Sequence, residues 1–483
     1  MVIDALKYQI LQQLGFVPTE EQGQALDAFA RFLTDRDPHA VMILRGSAGT
    51  GKTSLSGAIV RTLKAIRQKV MLLAPTGRAA KVFSLNSGCP AYTIHRRIYR
   101  EKSFAGVDGQ FNLNDNLFTD TLFMVDEASM ISNLGLGGGN FGSGCLLDDL
   151  VRFVYQGHND RLMLIGDKAQ LPPVGEEESP ALNRMMLEGY GLKVYECDLN
   201  EVLRQSQESG ILYNATVIRQ MITHDDITQL PLIRFKGFAD IVMMPGNELV
   251  ESLANSYYRV GQDETMVITR SNKRANIYNN GIRNMVLDRE EELSCGDMLM
   301  IVKNNYFWTE KERNEAKEAL NAIPPFLANG DRAKVLRVSR HMELYGFRFA
   351  TLLLQFPDYD NYEMSVTALL DTLQSEAPAL THEQQEQLFH GVEEDYQDVP
   401  LKSDRMKAIR GDQYFNALQV KYAYAITCHK AQGGQWEHVY VDQGYMTDDM
   451  LTPDYIHWLY TAFTRAKDKL FLVNWPKTQT EQA

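Results

Sequence analysis

Val41-Met42-Ile43-Leu44-Arg45-Gly46-Ser47-Ala48-Gly49-Thr50-Gly51-Lys52-Thr53 is the stretch that decides the fold. The apolar run reads as a buried strand, and the glycines that follow read as a tight turn opening a helix. Such a turn points several backbone N–H groups at one spot, which suits the phosphates of a nucleotide. Lys52 can reach the outer phosphates and Thr53 can hold a Mg²⁺ ion. The full G-x-x-x-x-G-K-[ST] pattern in strand and helix context is a strong signal. The plain alternative is a glycine-rich surface turn next to an ordinary lysine.

A second short apolar run, Leu122-Phe123-Met124-Val125, ends in Asp126-Glu127-Ala128-Ser129. In a parallel sheet, two adjacent carboxylates then stand at the carboxyl end of a strand beside the phosphate loop. Asp126 would bind Mg²⁺, largely through water, and Glu127 would orient and deprotonate an attacking water. A third run, Leu162-Met163-Leu164-Ile165, leads into Gly166-Asp167-Lys168-Ala169-Gln170-Leu171-Pro172-Pro173-Val174. Gln170 at this strand end can touch the terminal phosphate and report to a neighbouring domain, and the two prolines stiffen the exit.

With these motifs in this order, the chain resembles the superfamily 1B DNA helicases of the RecD and Dda type. The likeness extends over nearly the whole sequence. Pro18-Thr19-Glu20-Glu21-Gln22 opens an amphipathic helix with Thr19 as N-cap, and the resemblance implies that Gln22 hydrogen-bonds the adenine edge of ATP. Ala74-Pro75-Thr76-Gly77-Arg78 follows a strand and offers a helix N-terminus to a DNA phosphate, with Pro75 and Thr76 as the contact residues. Thr93-Ile94-His95 looks like the short motif that touches the strand; His95 reads equally as a packed or capping histidine.

In the family, an arginine within Leu199-Asn200-Glu201-Val202-Leu203-Arg204 lies against the terminal phosphate. Val267-Ile268-Thr269-Arg270-Ser271-Asn272 is similar to its fourth motif, with Thr269 and Asn272 on the nucleic acid. Thr427-Cys428-His429-Lys430-Ala431-Gln432-Gly433 brings a hydroxyl, an imidazole and an ammonium group to a glycine turn. Thr427, His429 and Lys430 suit a phosphodiester backbone, and the resemblance implies that Gly433 lies by the nucleotide. Leu459-Tyr460-Thr461-Ala462-Phe463-Thr464-Arg465 supplies a second arginine. Fixed guanidinium groups stabilise the charge of a transferring phosphoryl group, typically by about 10³ to 10⁵ in rate. Arg465 is far from Lys52 in sequence, so the nucleotide is expected between two domains that close on binding and part on hydrolysis.

A chain of 483 residues has room for several domains. No apolar run reaches the span of a bilayer and no basic-then-apolar leader opens the sequence, so a soluble, cytoplasmic protein without a membrane partner is expected. The five cysteines are scattered and never in C-x-x-C spacing, which indicates neither a disulfide framework nor a zinc site. The net charge of −13 argues against a nucleic-acid partner, but residues 358–398 hold carboxylates without a single Lys or Arg. Basic residues cluster instead at 61–81, 96–102 and 270–283, so a local track and modest, salt-sensitive DNA binding are expected. The acidic block reads as a solvated surface or a docking site for a protein partner.

The expected fold class is α/β: two RecA-like, doubly wound parallel-sheet domains in tandem. The first would span residues 1–247, with a hairpin insert at 96–121 that by resemblance acts as a pin at the duplex fork. There Phe104 and Phe111 either stack on a base or close a small local core. The second domain would start at 248–300 and finish at 420–483, around an SH3-like barrel at 301–419. Residues 368–392 read as an acidic helical elaboration of that barrel, and the glycine-rich segment 133–144 as a mobile loop. The resemblance implies an ATP- and Mg²⁺-dependent motor, monomeric, moving 5′ to 3′ on single-stranded DNA and opening forks. Two alternatives stay open: a nucleotide-controlled nucleic-acid-binding scaffold, and an RNA helicase of the same superfamily.

Overall fold

The structure, a computed structural model, describes residues 2–104, 109–135, 142–201, 208–224, 227–315, 323–324 and 326–481. The first lobe contains β1 (Ala40–Gly46), β2 (Lys69–Ala74), β3 (Ala91–Thr93), β4 (Tyr99–Phe104), β5 (Gly109–Leu113), β6 (Thr121–Val125), β7 (Arg161–Gly166) and β8 (Lys193–Leu199). Apart from β4 and β5 these form one parallel sheet in the order β3-β2-β6-β7-β1-β8. The unbroken apolar run of β1 follows from its two covered faces. Met42 and Leu44 pack with Leu26 and Phe29 of the helix Glu20–Thr34 and with Leu55 and Ile59 of the helix Lys52–Ala65. Val41 and Ile43 face the other way, onto Leu147, Leu150 and Phe153 of the helix Leu146–Gln156. A strand buried on both sides has no polar alternation to display.

β4 and β5 pair antiparallel as a separate hairpin within the expected 96–121 insert. The loop expected at 133–144 has residues 136–141 outside the described residues.

The second lobe begins with β9 (Ile241–Met244) and β10 (Thr265–Thr269). The chain then leaves to build a closed barrel from β11 (Met298–Ile301), β12 (Arg332–Leu344), β13 (Phe347–Phe356), β14 (Tyr362–Leu369) and β15 (Leu418–Tyr422). It returns as β16 (Ala425–Thr427), β17 (Trp436–Asp442) and β18 (Ala466–Val473). The second sheet has the order β16-β10-β17-β18-β9 and is parallel throughout. The barrel is antiparallel except where β14 meets β15.

Two expectations need correcting. The first lobe does not run to residue 247. β9 is the edge strand of the second sheet, bonded to β18, and the helix Gly210–Thr223 buries Ile211, Ala215 and Ile218 in the second core. A four-residue apolar run joins whichever open edge lies nearby, and here that edge belongs to the far end of the chain. The acidic elaboration is also misplaced at 368–392: Ala368 and Leu369 end β14, and the helix starts at His382 behind a Thr381/Gln384 capping box. Its Leu388, Phe389 and Val392 pack on Phe347, Phe349 and Leu369 of the barrel, so one face of this acidic segment is core. The Asn329-Gly330 turn precedes β12. The long β12–β13 hairpin turns at Tyr345-Gly346, with φ of +57° and +78°, as a two-residue hairpin turn requires.

Candidate nucleotide site between the lobes

The phosphate loop joins β1 to the helix Lys52–Ala65, with Gly49 and Gly51 at φ +78° and +74°. These values belong to glycine and curl the backbone so that its amides converge. Lys52 Nζ donates to Gly46 O at 3.1 Å across the mouth of the loop. Beside it runs a cleft of about 390 Å³. The first lobe contributes Ser47, Ala48, Gly49, Gly51, Lys52, Thr53, Asp126, Glu127, Asp167 and Gln170 to its walls. The second lobe contributes Gly433, Gln435, Thr464 and Arg465.

Burial, with the neighbouring Glu127 carboxylate adding to it, pushes the Asp126 carboxyl up to about 6. Asp126 Oδ1 accepts the Glu127 N–H at 2.9 Å. Glu127 itself holds φ +52°, a left-handed conformation costing a non-glycine residue roughly 1–2 kcal/mol. Its Oε2 is buried without a protein partner, as is Oε1 of Gln170. Buried polar atoms are nearly always paired, so two orphans facing one cleft indicate a polar ligand there. An oxygen-rich set made of Asp126, Glu127 and the Thr53 hydroxyl also fits a hard divalent cation.

Arg465 is 2% exposed. Its Nε, Nη1 and Nη2 donate to Thr461 O, Gly434 O and Thr464 Oγ1, all neutral oxygens. The lobes are held together around it. Arg78 of the first lobe lies 4.6 Å over the Trp436 ring and donates to Gln435 O at 2.8 Å.

Other residues named from the sequence are placed as follows. Gln22 is buried, accepts from Thr19 N and donates to Thr50 O at 2.9 Å. Through this bond it braces the phosphate loop. Thr269 is fully buried, its hydroxyl turned to Ser271 O and Ile426 O, and is out of reach of any strand. Asn272 donates to Glu376 O at 3.1 Å, tying the second lobe to the connection between barrel strands β14 and β15. His95 is half-buried and packs at a tilt against Tyr99, ring centroids 5.7 Å apart; burial pulls its pKa down to about 4, so it is neutral at physiological pH.

Pro75 and Thr76 are half-buried, and the Thr76 hydroxyl caps Ala79 N. The adjacent Gly77 meets Asp331 Oδ1 from the barrel. Thr427 and Lys430 are half-buried and His429 is exposed. Near them, Lys421 of β15 was not anticipated: burial, with Lys430 adding to it, pulls its ammonium down to about 8. Arg204 lies outside the described residues. Phe111 packs on Tyr306 at 5.6 Å, and Tyr306 stacks on Phe326 at 4.8 Å, so the hairpin leans on the connection between barrel strands β11 and β12.

Residues 19–227 match the AAA domain family and residues 422–473 the UvrD-like helicase C-terminal domain. An uncharacterized protein of Methanocaldococcus jannaschii is 33% identical over 171 residues, 33% of this chain and 14% of that protein. The ATP-dependent RecD2 DNA helicase of Deinococcus radiodurans is 31% identical over 157 residues, 32% of this chain and 18% of that protein. The matched stretches thus span less than a fifth of either relative. Among solved structures, the Pif1 helicase from Bacteroides in complex with ADP-AlF3 and ssDNA aligns over 97% of this chain and 95% of that one, at 13% identity and a TM-score of 0.47. An AAA domain match over most of the first lobe and a UvrD-like helicase C-terminal match over the end of the second thus accompany motifs in the order that resembles the RecD-type helicases.

Proposed function

We propose that the protein is an ATP-dependent DNA helicase that moves 5′ to 3′ on single-stranded DNA and separates duplex ahead of it. One observation carries this reading: Lys52 of the first lobe and Arg465 of the second line the same cleft. A triphosphate between them draws the lobes together, and its hydrolysis releases them. Glu127 takes the proton of the attacking water, Gln170 touches the terminal phosphate, and Lys52 and Arg465 meet the charge that develops on it. Thr53 and Asp126 would hold Mg²⁺, which supplies neutralisation of the phosphate charge. Arg465 now spends its donors on neutral oxygens, so its buried charge is available to a phosphate. Arg204 is assigned to the same phosphate by resemblance alone.

In this reading Thr76, Thr427, His429 and Lys430 belong to the DNA track. The β4–β5 hairpin is the pin, and the closed barrel is SH3-like. The motor works as a monomer in the cytoplasm. The polarity rests on the family resemblance alone, and the RecD2 relative is named a DNA helicase. Strand displacement on 5′-tailed and 3′-tailed duplexes tests it. Unwinding of the 5′-tailed substrate alone, with ATP hydrolysis raised by single-stranded DNA more than by RNA, is the expected result; unwinding only from a 3′ tail removes the polarity claim.

A further inference from the structure

The loop Asp167 to Leu171 belongs to the first lobe, yet side chains of the second lobe hold it. Four of its polar groups are taken by three residues on one face of the helix Pro453–Phe463 and by Gln432. Tyr460 OH donates to Asp167 Oδ2 at 2.6 Å and accepts Ala48 N of the phosphate loop at 3.0 Å. His457 Nδ1 lies 2.9 Å from Ala169 O, and since a carbonyl only accepts, this nitrogen carries the proton. Thr461 Oγ1 accepts Leu171 N at 2.8 Å while donating to His457 O. Gln432 Nε2 donates to Leu171 O at 2.7 Å.

The spacing is what a helix allows. Residues 457, 460 and 461 are three and four positions apart and share a face. Tyr460, Thr461, Asp167 and Gln432 are all buried, so these bonds are made away from water, where geometry is tightly set. Gln170 sits between the two gripped residues Ala169 and Leu171, 6% exposed, with its Oε1 unpaired in the nucleotide cleft.

We propose that His457, Tyr460, Thr461 and Gln432 form a clamp that positions Gln170, so that its amide is aligned with the terminal phosphate only when the second lobe is seated. They are positioning residues: none needs to touch the nucleotide, and they act by fixing the backbone on either side of Gln170. The Tyr460 hydroxyl ties the same clamp to the phosphate loop through Ala48. A movement of the second lobe on DNA therefore reaches the nucleotide through the Asp167–Leu171 backbone. This rests on the helicase reading above.

Thr461→Val removes the hydroxyl with almost no change of shape, and Thr461→Ser keeps the hydroxyl. ATP hydrolysis by the full chain is measured with and without a single-stranded DNA oligonucleotide, together with KM for ATP. Thr461→Val is expected to lose DNA-stimulated kcat by about tenfold or more, the scale of effect of a misplaced catalytic group, with KM nearly unchanged. Thr461→Ser is expected to keep most of the stimulation. Wild-type stimulation in Thr461→Val overturns the clamp. So does a rise in KM that matches the loss of kcat, since that marks a general loosening of the cleft. A wild-type protein that hydrolyses no ATP overturns the helicase reading and the clamp with it, whereas a failed clamp leaves wild-type hydrolysis intact.

Discussion

Gly433 of the second lobe stands against Ala79 of the first: a Cβ on Gly433 would lie 2.9 Å from Ala79 Cβ and 3.3 Å from Thr76 Oγ1. Its φ is +72°, in the left-handed region. Two independent demands therefore meet at one glycine, a backbone conformation that side chains resist and a lobe contact with no room for one. Gly433→Ala should carry about 1–2 kcal/mol of backbone strain and in addition push the helix Gly77–Ser87 away. The expected outcome is a fold that still melts cooperatively but hydrolyses ATP at least several-fold more slowly. Steady-state ATPase assays beside thermal melts check this, and an alanine variant with full activity shows that the lobes do not close through this contact.

The chemical residues should separate by role. Lys52 is half-buried at the mouth of the loop, where its ammonium donates to Gly46 O, so Lys52→Ala leaves no core cavity. Hydrolysis is expected to vanish while the melting temperature stays within a few degrees. Glu127→Gln keeps the shape and one acceptor but removes the base. Nucleotide binding should survive with turnover reduced by about 10² to 10⁴. Fluorescent-nucleotide titration with single-turnover hydrolysis distinguishes the two variants, and unchanged turnover in Glu127→Gln rejects its role with water.

The residues differ in how legible they were from sequence, for physical reasons. β1, β6 and β7 announce themselves because strands covered on both faces must be apolar throughout, and each run ends at the residues that carry the chemistry. The shared cleft of Lys52 and Arg465 follows from motif order. What local pattern cannot supply is partner choice. Ile241–Met244 has the composition of any edge strand, and only the assembled sheet shows that it pairs with β18. Gln22, expected at a base, also donates to Thr50 O of the phosphate loop, a partner that local pattern does not reveal. Tyr460 and Thr461 stood in a quoted motif without a role, because their partners lie in the other lobe. Lys421 sits within a strand and gives no sign that it will lie beside Lys430.

The joint between barrel and second sheet predicts a large stability effect at one residue. Asp297 is fully buried and accepts from Arg283, Arg289, Tyr424 OH and Ser294 N. Asp297→Ala strands the buried Arg283 and the half-buried Arg289, and removal of one partner from such a buried set costs about 3–5 kcal/mol. The exposed pair Lys7–Asp27, with side chains 30% and 44% exposed, should cost under about 1 kcal/mol when broken. Urea unfolding of Asp297→Ala beside Lys7→Ala measures the contrast; equal midpoints deny the joint its weight.

Asp331 should give the protein a pH-dependent stability of unusual sign. It is 1% exposed, with Oδ2 accepting from Ala328 N and Tyr359 OH at 2.7 Å each. Its Oδ1 is unpaired against Gly77 of the first lobe. Burial pushes its carboxyl up to about 7 from 3.8; Asp358 adds to the rise, while Lys81 and the two hydrogen bonds oppose it. Between these values the folded state holds a proton that the unfolded chain has released. The stabilisation is therefore complete below about pH 4 and is lost as the pH rises through about 7. Asp331→Asn keeps an acceptor for Tyr359 and Ala328 but carries no charge to desolvate. Its advantage over the wild type should accordingly be absent near pH 4, grow through the window and level off above about pH 7, reaching a few kcal/mol. Denaturant midpoints of both proteins across this range test it, and a difference that does not vary with pH shows that the Asp331 charge does not burden the lobe contact.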